Sequence, residues 1–178
     1  KEGLLVAIKK DVLDGLNSQV EGNGLKTVAV DCSITSLYNA FRVSYPEEEE
    51  PVMILDIGAK TTSLILVENE KIYLRSIPVA GNAITKEIAQ AFGCSMEEAE
   101  ILKKERGYVA LGGVTEDADE ISDRVSKIVR TVLTRLHAEI LRSINFYRSQ
   151  QGGAAPSRMF LTGGSSVLPQ IDEFFRET

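Results

Sequence analysis

Two apolar runs on either side of one polar turn constrain the fold of this chain most. Val52–Leu55 and Ser63–Val67 are nearly continuous in large aliphatic residues and lack the apolar–polar alternation of a strand with one solvated face. Both runs therefore indicate strands that are buried on both faces, and such a sheet needs helices to cover it. Lys71–Ile77 is predicted to return as a third strand after a tight hairpin turn at Asn69.

Helical patterns follow this strand meander. One helix is expected between Gly81 and Gly93, and Ser95 with Glu98 forms a capping box for the next one. The apolar spacing from Asp119 to Gln150 predicts a single long amphipathic helix. Arg158–Leu161 is then expected as a strand, followed by a glycine turn and a last helix. This order predicts an α/β fold with a mixed sheet flanked by helices.

The first fifty residues precede the strand meander and have their own pattern. Residues 1–31 are expected as strand, helix and strand, with the strands at Leu4–Ile8 and Lys26–Val30. Residues 32–50 are expected as a helix and an acidic connector that contains Glu47–Glu50.

Composition excludes several classes of function. The net charge of −6 argues against nucleic acid as the main partner, because phosphate binding needs a basic face. No stretch approaches the roughly 18 consecutive apolar residues of a transmembrane helix. The two cysteines, Cys32 and Cys94, are far apart in sequence and outside any metal-binding spacing, which predicts reduced thiols in the cytosol.

The turn between the first two strands carries the residues of a metal–phosphate cradle. Gly58 would let a phosphate approach backbone N–H groups, and Thr61 and Thr62 would add hydroxyl donors. Asp56 cannot bind phosphate directly but can hold Mg²⁺ through water. An Asp-Gly turn with β-forming threonines in an ordinary sheet has the same sequence, so this pattern alone leaves both interpretations open.

A second glycine turn, Gly163-Gly164-Ser165, lies about a hundred residues later between a predicted strand and a predicted helix. Glycines at such a turn let a flat ligand lie against the backbone. The alternative is that Ser165 and Ser166 merely cap the final helix. Between the two turns, the segment AEILKK places Glu100, Lys103 and Lys104 on one helix face, where a solvent-exposed salt bridge is the simpler interpretation.

Together, in this order, these motifs resemble the second phosphate motif and the adenosine motif of the actin, heat-shock chaperone and sugar-kinase ATPase superfamily. In that superfamily an equivalent Glu and Lys pair reaches the adenosine. The segments IPVAGNAITKEIAQAFGCSMEEAEILKKERG and EILRSINFYRSQQGGAAPSRMFLTGG are similar to the type IV pilus assembly protein family PilM, which is related to the cell-division protein FtsA. An R-S-x-x-[FY]-[FY] run, here Arg142 to Tyr147, favours PilM.

The resemblance implies an actin-like (ribonuclease H-like) ATPase fold, present in part. Residues 1–31 would be the end of the inserted small subdomain, residues 32–50 would return to the first lobe, and residues 51–178 would form the second lobe. The first phosphate motif of the superfamily is not found, so we expect a fragment that lacks it. Ser63 stands where the chaperones and FtsA commonly carry a second acidic residue.

The functional expectation is a nucleotide-binding assembly protein of a type IV pilus-like machine, using ATP or ADP with Mg²⁺. It would bind the cytoplasmic tail of a PilN-like inner-membrane protein, with self-association also open, and would lie in the cytoplasm at the inner membrane through its partners. An FtsA-like division protein and a small-molecule kinase of the same superfamily are the alternatives. At most weak ATPase activity is expected, and none from this stretch alone.

The expected cofactor-binding residues come from both turns and from the intervening helix. They are Asp56, Gly58, Lys60, Thr61, Thr62, Glu100, Lys103, Gly163, Gly164 and Ser165. Asp56 is also the expected Mg²⁺ residue, and no catalytic base is identified. The lone histidine, His137, is expected at the surface or at its boundary.

Overall fold

The computed structural model describes residues 5–69, 71–112 and 119–177. The chain divides into two compact units, Lys1–Glu48 and Glu49–Thr178, and the boundary falls within the acidic run of the sequence.

The described part of the first unit contains two helices, α1 (Lys10–Gly22) and α2 (Ser33–Ser44). The strand predictions within residues 1–31 are wrong for the described residues, because 5–9 and 25–32 belong to no strand or helix. An extended segment forms a strand only when a neighbour satisfies its N–H and C=O groups, and these segments have no such neighbour among the described residues. Helix α1 is amphipathic but buries none of its residues.

The second unit is built on a four-stranded mixed sheet. Its strands are β1 (Val52–Ile57), β2 (Thr62–Glu68), β3 (Lys71–Ile77) and β4 (Arg158–Thr162), in the spatial order β3-β2-β1-β4. Strand β1 pairs antiparallel with β2 and parallel with β4. The continuous apolar runs are buried as expected, since Val52–Leu55 is at most 3% exposed. The hairpin turn at Asn69 is confirmed by its positive φ of 52°.

Within the described residues, four helices complete this unit: α3 (Gly81–Phe92), α4 (Met96–Arg106), α5 (Glu120–Gln151) and α6 (Ile171–Glu177). The predicted capping box is present, with the Ser95 hydroxyl accepting from the Glu98 N–H and the Glu98 carboxylate accepting from the Ser95 N–H. Helix α5 begins after the N-cap Asp119 and ends at Gly152, which adopts the left-handed conformation. These helices and one face of the sheet share a single apolar core.

The final helix does not begin where the sequence suggested. A series of turns occupies residues 163–170, and α6 starts only at Ile171. Ser165 and Ser166 therefore do not cap α6. The Ser166 N–H donates to the Gly163 carbonyl and the Leu168 N–H to the Ser165 carbonyl, so the glycine segment forms a loop of its own.

Candidate functional site

The first polar turn connects β1 to β2 and is closed by a hydrogen bond from the Gly58 N–H to the Thr61 carbonyl, at 3.2 Å. A Cβ atom at Gly58 would lie 2.9 Å from that same carbonyl oxygen, so this tight closure favours glycine. The Gly58 carbonyl accepts from the N–H of Gly81 at 3.0 Å and from the Ser165 hydroxyl at 3.4 Å. One carbonyl therefore joins the turn to helix α3 and to the second glycine loop.

The second turn lies at the same sheet edge because β4 runs parallel to β1, with Thr162 paired to Asp56. The Ser165 N–H donates to the Ile57 carbonyl at 3.0 Å. Gly163 has a φ of +91°, and a Cβ there would lie 2.4 Å from Oδ1 of Asp56. Only glycine meets both requirements without a shift of the backbone.

Gly81, the first residue of α3, is the third close approach at this edge. A Cβ at Gly81 would lie 2.6 Å from the Ser165 Oγ and 3.3 Å from the Gly58 carbonyl oxygen. The next residue, Asn82, donates its N–H to the Ala59 carbonyl at 2.7 Å. The first turn of α3 is thus fastened to the hairpin through two backbone hydrogen bonds.

Helix α4 forms the opposite side of the site and carries an ion pair between the buried Lys103 and the partly exposed Glu100. Lys103 is 8% exposed, and its Nζ lies 2.6 Å from Oε2 of Glu100, 2.9 Å from Oγ1 of Thr85 and 3.4 Å from the Gly81 carbonyl. An ammonium group has three protons, so all its donors have partners within the protein. The other oxygen of Glu100, Oε1, lies 3.5 Å from Nζ of Lys104.

The pKa of Glu100 reflects this setting. Burial raises it, but the hydrogen bonds from Lys103 and Thr85, with the charges of Lys103 and Lys104, outweigh that effect and leave it below its usual value. The carboxylate is therefore ionised at neutral pH.

The two turns, the start of α3 and helix α4 surround a pocket of about 470 Å³, within the size range of small-molecule sites. Five expected residues line it: Gly58, Glu100, Lys103, Gly164 and Ser165. Gly164 has no atom within 4 Å of an added Cβ, so its backbone borders open space. The pocket therefore combines a bare glycine surface with a carboxylate and two ammonium groups.

The other five expected residues do not line this pocket. Asp56 and Gly163 lie in contact at the base of the two turns, while Lys60 and Thr61 are exposed on the hairpin loop. Thr62 departs from the expectation that it offers a hydroxyl to a ligand. It is completely buried, and its Oγ1 donates to the Val79 carbonyl at 2.7 Å. Alternation along β2 turns Thr62 into the protein interior.

Sequence reasoning omitted several lining residues: Ala59, Gly81, Asn82, Lys104, Gly107, Val167, Leu168 and Pro169. Gly81 and Asn82 begin the stretch GNAIT, which lies in a segment that resembles the PilM family. The sequence therefore contained a signal that could have indicated these two residues. Lys104 is an exposed salt-bridge partner of Glu100, as one of the two interpretations of this helix face predicts. Gly107 had no sequence signal, although a Cβ there would lie 2.3 Å from the Lys103 carbonyl oxygen.

Asp56 fits a role as a single, water-mediated Mg²⁺ residue. Within the parts of the chain that the structure describes, its carboxylate makes no hydrogen bond or ion pair. Mg²⁺ commonly keeps several waters and uses one or two carboxylates together with substrate phosphates. The described residues contain no group of three or more His, Cys, Asp or Glu side chains that could hold a metal without a ligand's help.

Two further features lie outside this site. His137 is half-buried against Phe174 and Phe175, as expected for a boundary residue, and burial lowers its pKa. A wide depression of about 610 Å³ lies at the end of α5, where Phe146, Arg148 and Gly152 are among its lining residues. None of the expected cofactor-binding residues lines that depression.

Comparison with known proteins identifies the family. The sequence model of the family described as "Type IV pilus assembly protein PilM" matches residues 1–178. The chain belongs to the PilM family. A solved PilM-PilN type IV pilus biogenesis complex contains a similar chain, with a TM-score of 0.75 and 26% sequence identity. That match covers 94% of this chain and 45% of the other.

Related proteins extend this assignment to the actin-like fold. The cell division protein FtsA of Bacillus subtilis is 27% identical to this PilM-family chain, and the match covers 96% of the chain and 41% of FtsA. FtsA of Agrobacterium fabrum is 30% identical over 68% of the chain and 31% of FtsA. The structure of MreB5 of Spiroplasma citri bound to ADP shares the fold, with a TM-score of 0.68, 18% identity, and coverage of 96% and 58%.

The PilM-family chain spans less than half the length of FtsA and of the PilM chain that it matches. None of the helices in the described regions combines the length and apolar character needed to cross a bilayer. Even the 32-residue α5 carries charged residues along its whole length.

Proposed function

We propose that this chain contributes a nucleotide-binding lobe to a PilM-like assembly protein and that ATP or ADP occupies the pocket between the two glycine turns and α4. The observation that carries the proposal is the convergence of Gly58, Gly81 and Gly164 around one pocket of about 470 Å³. Bare backbone at three positions suits a ligand with a flat base and a phosphate chain.

Each side of the pocket suits one part of a nucleotide. Gly164 and Ser165 would offer a flat surface for the base, and Oε1 of Glu100 and Nζ of Lys104, which lie 3.5 Å apart, would be available to the ribose hydroxyls. Lys60 and Thr61 lie on the exposed hairpin loop, where a cation and a hydroxyl can reach phosphate oxygens. Bound Mg²⁺ would neutralise phosphate charge, and Asp56 is the residue available to hold it through water.

This proposal is tested by filling the pocket without disturbing the fold. Gly164→Val places a side chain in open space, since no protein atom lies within 4 Å of its Cβ. Gly15→Val is the matched control, because Gly15 is equally unobstructed but lies in α1. In a calorimetric titration, Mg-ATP and Mg-ADP should bind wild type and the Gly15→Val control with similar affinity. Their affinity for Gly164→Val should be lower by at least about tenfold.

Equal affinity in all three proteins would contradict the assignment of the pocket. Because the chain spans less than half of its relatives' length, the titration is run on these 178 residues and on any longer protein that contains them. Binding by the longer protein alone would mean that residues outside these 178 complete the site. Any hydrolysis should be slow, because no catalytic base is found among the described residues of the site.

We further propose that the whole protein binds the cytoplasmic tail of an inner-membrane partner and lies at the membrane through it. Support comes from the family and from the similarity to the PilM-PilN complex. Residues 1–31 are proposed to be part of the inserted subdomain, with residues 32–50 returning to the first lobe. Fluorescence anisotropy with synthetic tail peptides tests the partner, and a scrambled peptide of the same composition is the control.

An FtsA-like role in cell division is the second candidate, because FtsA proteins of several bacteria are 27–30% identical to this chain. Tail peptides from pilus proteins and from division proteins separate the two roles. Selective binding of a division-protein tail would favour the FtsA-like role and contradict the pilus role.

A further inference from the structure

The side chains beneath the pocket are connected through one buried hydroxyl. We propose that Thr85 is a positioning residue, which holds the Glu100–Lys103 ion pair against the first turn of α3 and so fixes the distance between α4 and the phosphate hairpin. The effect of Thr85 on nucleotide affinity rests on the proposed function, whereas its effect on the ligand-free protein does not.

The hydroxyl of Thr85 has an unusually full set of partners for one proton. Thr85 is 2% exposed, and its Oγ1 lies 2.6 Å from Oε2 of Glu100, 2.9 Å from Nζ of Lys103 and 3.1 Å from the Gly81 carbonyl. A hydroxyl donates one proton and accepts on its lone pairs. The proton belongs to the closest and charged acceptor, Glu100, and the oxygen accepts from Lys103.

This arrangement fixes how Glu100 faces the pocket. Its Oε2 accepts from both Thr85 and Lys103, which commits that oxygen to the protein. Oε1 remains, with Nζ of Lys104 at 3.5 Å. Because the carboxylate is planar and one oxygen is held twice, the direction of the other oxygen is set by Thr85 and Lys103 together.

The same network reaches the hairpin in two further steps. Nζ of Lys103 lies 3.4 Å from the Gly81 carbonyl, and the Gly81 N–H donates to the Gly58 carbonyl at 3.0 Å. The N–H of Asn82 donates to the Ala59 carbonyl at 2.7 Å. Glu100 on the base side is therefore linked through Lys103 and Gly81 to the turn on the phosphate side.

Among the described residues, the charged groups paired with Glu100 are Lys103 and Lys104, which lie on its own helix. Helix α3 presents the Thr85 hydroxyl and the Gly81 carbonyl, and the second glycine loop presents Ser165. Loss of the Thr85 hydroxyl removes one of the hydrogen bonds that hold the pKa of Glu100 low. The pKa of Glu100 thus reports on the network independently of any ligand.

The test compares Thr85→Val, which replaces the hydroxyl by a methyl group, with Thr85→Ser, which retains it. Thr134→Val is the matched control, because the Thr134 hydroxyl is exposed and bonds only to the Arg130 carbonyl in its own helix. NMR on the ligand-free chain follows the titration of Glu100 and the hydrogen exchange of the Gly81 and Asn82 amides. Thr85→Val should raise the pKa of Glu100 and increase the hydrogen-exchange rate of both amides by at least about tenfold. In Thr85→Ser and Thr134→Val, the pKa and both exchange rates should stay near their wild-type values.

Unchanged Glu100 titration and amide exchange in Thr85→Val would overturn the proposal, as would equal changes in Thr85→Ser. If Thr85→Val does not fold, Thr85→Ala and Thr85→Ser form a second pair that differs by the hydroxyl alone, and the same readouts apply. Where nucleotide binds, Thr85→Val should weaken it about tenfold, and Thr85→Ser should restore it. Failure of wild type to bind nucleotide contradicts the proposed function and leaves the ligand-free readouts to decide the role of Thr85.

Discussion

The Cα of Gly163 packs directly against the carboxylate of Asp56, so that an added Cβ would lie 2.4 Å from Oδ1. This contact brings together two turns separated by about a hundred residues of sequence. It arises because β1 and β4 are parallel neighbours, which places their carboxyl ends at one edge of the sheet.

Gly163→Ala should therefore destabilise the chain by about 2 kcal/mol or more, since alanine meets both a positive φ and two close oxygen atoms. Gly164→Ala is the neighbouring control and should stay within about 0.5 kcal/mol of wild type, because its Cβ meets no atom. Urea unfolding measures both. Equal stability of Gly163→Ala and Gly164→Ala would show that the backbone at Gly163 adjusts without cost. The close contact with Asp56 would then not contribute to the stability difference.

Thr61 and Thr62 are adjacent in sequence but should respond in opposite ways to replacement by valine. Thr62→Val removes a fully buried hydroxyl that donates to the Val79 carbonyl, and it should cost about 1–3 kcal/mol of stability. Thr61→Val changes an exposed residue and should leave stability within about 0.5 kcal/mol, while weakening nucleotide binding. Thermal unfolding and calorimetry on the same two variants give the comparison, and a stable Thr62→Val protein would be the contrary result.

Lys103 and Lys104 provide a second adjacent pair. Lys103→Met removes a buried ammonium that has three partners and should cost about 1–3 kcal/mol, with part of the ion pair screened because Glu100 is partly exposed. Lys104→Met removes an exposed ammonium at 3.5 Å and should change stability by less than about 1 kcal/mol. Similar losses in both variants would mean that the burial of Lys103 does not govern its contribution.

Tyr147 and Glu68 connect the end of α5 to the far end of β2. The Tyr147 hydroxyl donates to Oε2 of Glu68 at 2.8 Å, and the Ala154 N–H donates to the same oxygen at 2.9 Å. Burial, followed by the hydrogen bond to Glu68, raises the pKa of Tyr147 to about 12. The Ala154 N–H, followed by the Tyr147 hydroxyl, lowers the pKa of Glu68 below 4.5.

These two pKa shifts determine how the stability difference between Tyr147→Phe and wild type depends on pH. The raised pKa of Tyr147 contributes stability that is full below pH 10 and is lost as the pH rises from 10 towards 12. The lowered pKa of Glu68 contributes stability above pH 4.5 that is lost as the pH falls through its folded value. The variant should lose about 1 kcal/mol at neutral pH, and the difference from wild type should shrink on both sides. A difference that is constant from pH 3 to pH 12 would contradict this.

The central part of the fold was predictable because the sequence patterns there are strong and local. The continuous runs of β1 and β2, the spacing along α5 and the capping box at Ser95 each depend on residues close together in the chain. The strands expected in residues 1–31 were wrong because strand formation depends on a neighbour that the local sequence does not supply. The start of α6 was also misplaced, because serines after glycines suit a loop as well as a helix cap.

The candidate site was predicted in part for a related reason. Chemistry-bearing residues such as Glu100 and Ser165 were recognisable from their motifs, and both line the pocket. The direction of Thr62 and the three partners of Lys103 depend on packing between elements, which residue type alone does not reveal. Gly107 was missed because its close approach to Lys103 is visible only in three dimensions.

The most direct measurement is an NMR titration of the isotopically labelled chain with Mg-ADP, because chemical shifts detect weak binding and locate it. The account predicts shifts of the amides of Gly58, Gly81, Gly107 and Gly164, which line the pocket. Amides around Phe146 and Gly152, at the wider depression near the end of α5, should not move. Shifts confined to that depression, or no shifts at any ligand concentration in this chain and in a longer protein that contains it, would contradict the assignment of the nucleotide site.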